Sequence, residues 1–185
     1  MTEQSGRIIV LNGTSSSGKT TLARSLRAAL EPSFHYYASD QLASAGFRPL
    51  DSRSRLEWRE AFFSGFHRSI AAFAEAGLNL LVEHIVEEQS WAHELTQLLE
   101  PFDVFWVGVT APFNEIERRE KVRGDRQIGE AREHLKTHVF CEYDIQVDTT
   151  ESLEKNVDAI VKRMSHESGC PNITMGCNSW TVVQS

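Results

Sequence analysis

Short apolar runs alternate with longer segments of helical spacing along most of this chain. Ile8-Ile9-Val10-Leu11 is a β-branched run, as a parallel strand buried on both faces requires. Leu22, Leu26, Ala29 and Leu30 follow at helical spacing, until Glu31-Pro32-Ser33 breaks the pattern. His35-Tyr36-Tyr37-Ala38 reads as a second strand, with a helix beginning near Gln41. Residues 46–55 read as a polar loop. Trp58, Ala61, Phe62, Gly65, Phe66, Ile70, Phe73 and Ala74 then mark one face of a long helix that ends at Gly77. His67 and Arg68 are expected on its solvent face. Residues 78–82 form the third strand, and Trp91, Leu95, Leu98 and Leu99 the next helix. Residues 102–109 are almost continuously apolar, so this fourth strand is expected to be central. Helices are expected at 113–122 and 130–140. Residues 143–148 alternate polar and apolar like an edge strand, and Leu153, Val157, Ile160, Val161 and Met164 pattern a final helix.

The junction between the first strand and first helix carries the chemistry. Gly13-Thr14-Ser15-Ser16-Ser17-Gly18-Lys19-Thr20 matches G-x-x-x-x-G-K-[ST] at every fixed position, in the strand-to-helix context that gives the pattern meaning. Gly13 and Gly18 permit turns that a Cβ would block. Successive N–H groups then line a concavity at the positive end of a helix, where a triphosphate fits. The expected nucleotide contacts here are residues 13–20 and Thr21. Lys19 would reach the β and γ phosphates, and the Thr20 hydroxyl would occupy one Mg²⁺ position. Five strand–helix alternations beginning with this loop predict an α/β fold: a three-layer, P-loop kinase-like sandwich with a five-stranded parallel sheet and a helical lid. One domain is expected over 1–165, with a tail at 166–185 that has no assigned role.

Topology brings other residues towards the same place. Ligands of open parallel sheets bind outside the carboxyl ends of the strands. Asp40 follows the second strand there, either as a general base for an attacking hydroxyl or as a helix N-cap. Glu83 ends the third strand and is the candidate second organiser of Mg²⁺. His84 reads as a substrate contact or a polar turn residue, and Glu87 and Glu88 as acids at the next helix start. Trp58, Phe62 and Phe66 are core residues or the wall of a substrate pocket. Arg123-Gly124-Asp125-Arg126 reads as a lid whose guanidinium groups bind phosphate, or as a solvated basic turn.

Composition narrows the partners. The chain has 185 residues, with 41% hydrophobic and 24% charged residues, which is ordinary for a soluble globular domain. A formal net charge of −7 argues against a nucleic-acid partner. No run is long enough to span a membrane, and no leader pattern precedes Ile8, so a cytoplasmic location is expected. Cys141, Cys170 and Cys177 are read as free thiols, since their spacing with His166 fits no standard zinc site. Asn172-Ile173-Thr174 and the Arg-Gly-Asp tripeptide are read as chance matches.

Several of these segments, taken in order, resemble the chloramphenicol phosphotransferases. They are residues 9–20, Ser39-Asp40-Gln41-Leu42, Phe105-Trp106-Val107-Gly108-Val109, Arg119-Glu120, Arg123-Gly124-Asp125-Arg126, His138, and residues 142–150. The resemblance implies phosphoryl transfer from ATP, with Mg²⁺, to a hydroxyl of a small molecule. It implies that Asp40 is the base, that Lys19 and Thr20 serve the phosphates and metal, that Arg123 and Arg126 act from the lid, and that Thr149-Thr150, after the fifth strand, lies near the nucleotide base. Two departures from the family pattern fall where an acceptor would be chosen. The segment between Leu42 and Trp58 looks shorter, and an acidic pair after the third strand is here Glu83-His84. The expected function is an ATP-dependent O-phosphotransferase, with GTP as the other candidate donor and chloramphenicol or a related antibiotic among the candidate acceptors. Another metabolite, nucleoside or sugar kinase is the first alternative, and a non-catalytic nucleotide-binding regulator the second. A homo-oligomer is left open.

Overall fold

The computed structural model describes residues 5–49, 52–123, 132 and 134–167. Five strands, β1 (Ile8–Asn12), β2 (His35–Ala38), β3 (Leu80–His84), β4 (Val104–Thr110) and β5 (Ile145–Asp148), form one sheet in the order β2-β3-β1-β4-β5. Every pairing is parallel. Strand β1, fully buried, is therefore the centre, and β4 lies one place from the edge rather than at the middle. Both are apolar because both carry helices on each face. β5 is the edge strand that its alternation predicts.

Helices α1 (Lys19–Ala29) and α7 (Leu153–Glu167) cover one face of the sheet. Leu22, Leu26, Val157, Ile160 and Met164 pack there on Ile9, Leu11, Phe105 and Val107. Helices α3 (Ser52–Glu75) and α4 (Gln89–Leu99) cover the other, where Phe66, Ile70, Ala74, Trp91 and Leu95 meet Ile8, Val10, Leu80 and Val82. Each fully buried side chain of this size contributes about 1.5–3 kcal/mol, so two such clusters hold the three layers together. The remaining described helices are α2 (Ser39–Leu42), α5 (Phe113–Arg123) and α6 (Thr137–Phe140). A π-helical turn, Ala43–Phe47, separates α2 from α3, and Gly46 breaks it at φ 105°.

Several boundaries differ from the sequence reading. Strand β3 starts two residues later than expected, so Glu83 and His84 are its last residues rather than the turn after it. Helix α3 begins at Ser52, inside the segment read as loop. His67 is not on a solvent face: it is fully buried on α3. Phe63, Phe66, His67, Ile70 and Ala74 are spaced on one helical stripe, and that stripe faces the sheet. Helix α7 continues to Glu167, so His166 belongs to it rather than to a tail. Arg126, the side chain of Arg123, residues 130, 131 and 133 and the segment 168–185, with Cys170 and Cys177, lie outside the described residues. Among the described residues no helix is long and apolar enough to cross a membrane.

Candidate active site

The strand register aligns the carboxyl ends of the sheet. Leu11 is level with Glu83, which is level with Ala38; Asn12 is level with His84 and with Gly108. The loop after β1 therefore opens on the same rim as Glu83, His84 and the start of α2. A cavity of about 710 Å³ occupies this rim.

The loop 13–18 is shaped by tight approaches. A Cβ on Gly13 would lie 2.2 Å from the Val109 carbonyl oxygen, so only glycine lets β1 turn beside β4. Gly18 stands at φ 97°, in the left-handed region, and forms the N-terminal boundary of α1 with no side-chain cap. The first N–H groups of α1 are thus left for a ligand. The hydroxyls of Thr14, Ser15, Ser16 and Ser17 are buried without a hydrogen-bond partner. Buried hydroxyls left unpaired are costly, and four in succession around an uncapped helix N-terminus fit a multiply charged oxyanion. Lys19 is buried and folds back over the loop, donating to the carbonyls of Gly13 at 2.8 Å and Thr14 at 2.6 Å.

Beside the loop, Thr20 Oγ1 donates to Glu83 Oε1 at 2.9 Å, and Tyr36 OH donates to Glu83 Oε2 at 2.5 Å. Burial and this bond to the carboxylate raise the Tyr36 pKa, so the phenol keeps its proton. Thr20 and Glu83 are thereby in direct contact, in an oxygen-rich corner whose chemistry suits a hard divalent cation. Asp40 lines the same cavity from the first turn of α2. It is not the cap of that helix, because the N-cap position is Ala38 and the Gln41 side chain accepts from its N–H.

Arg119 on α5 ties the loop to β5. Its guanidinium donates to Thr149 Oγ1 at 2.8 Å and the Thr149 carbonyl at 3.1 Å, with longer bonds to the carbonyls of Ser16 and Ser17. Thr149 Oγ1 in turn donates to the Ser17 carbonyl at 2.6 Å. Glu115 holds Arg119 and Arg118 from the preceding turn, and hydrogen bonds from both depress its carboxyl to about 2. Thr149 is therefore a neighbour of the phosphate loop, and a Cβ on Gly18 would lie 3.1 Å from its side chain.

The far wall is aromatic. Trp58 stacks on Phe62 at 4.4 Å between ring centres, and Phe62 meets Phe63 edge-on. These three line the cavity, whereas Phe66 is buried in the core under α3. Glu88 is the N-cap position of α4, and Glu87 lies just before it. They hold the Arg59 guanidinium, each at 2.7 Å, which lies 4.4 Å from the centre of the Trp91 ring. Sequence patterning missed Arg59, Phe63 and Tyr36. Arg59 could have been found one turn before Phe63, and Tyr36 from the alternation that sends it away from Tyr37.

The model of the family described as chloramphenicol phosphotransferase-like protein matches residues 6–165. Two relatives from Mycobacterium tuberculosis, MT2714 of strain CDC 1551 and Rv2636 of strain H37Rv, are provisionally named O-phosphotransferases. Each is 30% identical over 170 residues, covering 78% of this chain and 76% of the relative. Among solved structures, the tunicamycin resistance protein of Deinococcus radiodurans superposes with a TM-score of 0.64 at 17% identity, over 94% of this chain and 99% of that one. The APS kinase CysC of M. tuberculosis, in complex with AMPPNP and APS, gives 0.61 at 13% identity over 87% and 98%. Shikimate kinase of Acinetobacter baumannii, with shikimate, gives 0.61 at 13% over 90% and 95%. These likenesses establish the fold as that of P-loop kinases. The chain belongs to the chloramphenicol phosphotransferase-like family of kinase-type O-phosphotransferases.

Proposed function

We propose that this protein transfers the γ-phosphoryl group of ATP to a hydroxyl of a small molecule with an apolar or aromatic part. The observation that carries the reading is one cavity lined jointly by the phosphate loop, Asp40, Glu83 and the Trp58–Phe62–Phe63 wall. A donor site and an acceptor site in one enclosure suit transfer rather than nucleotide sensing.

The roles follow from chemistry. The loop N–H groups and the hydroxyls of residues 14–17 hold the donor phosphates, with Lys19 released from the loop carbonyls to meet their charge. Thr20 and Glu83 hold Mg²⁺, which supplies charge neutralisation across the donor phosphates. Asp40 accepts the proton of the acceptor hydroxyl as it attacks. Such a base is worth about 10²–10⁴-fold in rate. Arg123 and Arg126, the arginines that the family resemblance assigns to the lid, neutralise the transferring group. Arg119 keeps the loop in register with Thr149, and Trp58, Phe62 and Phe63 seat the acceptor's apolar part. ATP is the proposed donor, with GTP as the competitor to test. Chloramphenicol or a related antibiotic is one candidate acceptor, and a sugar, nucleoside or other metabolite hydroxyl is chemically equivalent. A cytoplasmic setting and a single functional domain over 1–165 belong to the same reading.

The test is incubation of the full chain with Mg²⁺ and ATP or GTP, with chloramphenicol, nucleosides, sugars and shikimate offered singly, and product identified by mass. A phosphorylated panel member supports the reading and names the acceptor class. Tight nucleotide binding with no phosphorylated product would favour a non-catalytic nucleotide-binding regulator instead.

A further inference from the structure

Behind the cavity wall, three titratable side chains from three elements form a line that the roles above do not use. Glu94 on α4 stands at the outer end, where its Oε2 lies 2.8 Å from His67 Nδ1. Its other oxygen accepts from Ser64 Oγ at 3.0 Å. His67 Nε2 lies 3.1 Å from His84 Nε2. His84, on β3, lines the cavity, and its Nδ1 is buried with no hydrogen-bond partner. Phe63, Phe66 and Trp91 pack around the two imidazoles and keep the line dry.

Proton direction along this line is determined from its outer end. A carboxylate only accepts, so His67 Nδ1 carries a hydrogen and donates it to Glu94. Burial lowers the His67 pKa despite the opposing pull of Glu94. Both rings lie out of water, His67 at 0% and His84 at 2% exposure, which disfavours a charge on either. Two neutral rings can bond through facing nitrogens only if one donates. His67 Nε2 is bare, so His84 Nε2–H is the donor. The remaining nitrogen, His84 Nδ1, is then a bare lone pair. A buried acceptor with no donor is a costly feature unless something is meant to meet it.

We infer that Glu94 and His67 are positioning residues that fix His84 in its Nε2–H tautomer, and that His84 Nδ1 accepts a hydrogen bond from a hydroxyl or N–H of the phosphoryl acceptor. The substrate half of this inference rests on the phosphotransfer reading of the cavity. It makes His84 a specificity-determining residue: an acceptor molecule without a donor at that point leaves the lone pair unpaired and is rejected. An acidic residue at the same place would accept the same bond but repel the donor phosphates nearby. A neutral imidazole with its tautomer locked offers a lone pair without a charge.

The test has two arms on the full chain. Nitrogen NMR of histidine-labelled protein at neutral pH should show one ring with bare Nδ1 and protonated Nε2, absent in His84→Asn. A second ring should show the opposite pattern, absent in His67→Gln. Glu94→Ala should turn both into tautomer mixtures. A His84 protonated at Nδ1, or a doubly protonated ring, overturns the inference. In the second arm, Glu94→Ala and His84→Phe are compared with the wild type on whichever panel member is phosphorylated. The expected result is a rise of about tenfold in acceptor KM, with little change in donor KM. An unchanged acceptor KM in both variants, or a fall in kcat alone, overturns it. If the wild type phosphorylates nothing, the substrate half falls with the phosphotransfer reading, while the NMR arm still decides the tautomer half.

Discussion

A single carboxylate, Glu83, accepts hydrogen bonds from two hydroxyls on different elements, Thr20 and Tyr36. If Thr20 and Glu83 share Mg²⁺, Thr20→Val should weaken Mg²⁺-dependent nucleotide binding much more than metal-free binding. Calorimetry of ATP with and without Mg²⁺ checks this, and an equal loss in both would assign the pair to packing alone. Asp40 makes a cleaner case because it lies at the cavity surface rather than in the core. Asp40→Asn is expected to lower kcat by about 10²–10⁴-fold with nucleotide affinity retained. Turnover equal to the wild type would remove Asp40 as base.

At the scale of elements, helix α5 and the segment after β5 act on the phosphate loop through one guanidinium. Arg119 reaches three backbone carbonyls and a hydroxyl, so lysine cannot reproduce its fork. Arg119→Lys should weaken nucleotide binding by about tenfold and loosen the loop, read as faster amide exchange at residues 14–18. Unchanged exchange there would separate Arg119 from the loop's order. The β1–β4 contact is less forgiving. Gly13→Ala places a methyl against the Val109 carbonyl, and neither strand can move without breaking the sheet centre. That variant is expected to lose nucleotide binding and several degrees of Tm together. A fully stable Gly13→Ala protein that still binds ATP would show the loop to be more plastic than its packing implies.

For the whole molecule, the buried His67–His84 pair couples stability to pH. Both rings are neutral when folded and take up protons when unfolded. Below the unfolded value of 6.5 the unfolded chain binds more protons, so stability falls as pH drops and levels off above it. Glu94 is the one nearby group that opposes this at His67, while Lys19 and Arg59 reinforce it at His84. Urea midpoints should therefore fall between about pH 8 and about pH 5.5. The slope should be shallower in His84→Phe. An identical slope would place the linkage elsewhere in the molecule.

The sequence determined the phosphate loop, the alternation of strands and helices, and the positions of Lys19, Thr20, Asp40 and Glu83 along the chain. Those features are local: a strand-to-helix glycine motif and period-2 or period-3.6 patterns follow from backbone geometry over a few residues. The carboxyl-end rule put Asp40 and Glu83 on one rim; Glu83 is level with Ala38, two residues before Asp40, and both line the cavity. Which strand lies at the centre was not local, because β1 and β4 are equally apolar and only the order of pairing separates them. Nor was the meaning of His67, whose polar identity suggested solvent while its helical position put it against the sheet. Two neutral imidazoles can be buried only when each donor has an acceptor. That pairing joins α3, α4 and β3 across long stretches of sequence, so tertiary structure alone decided it.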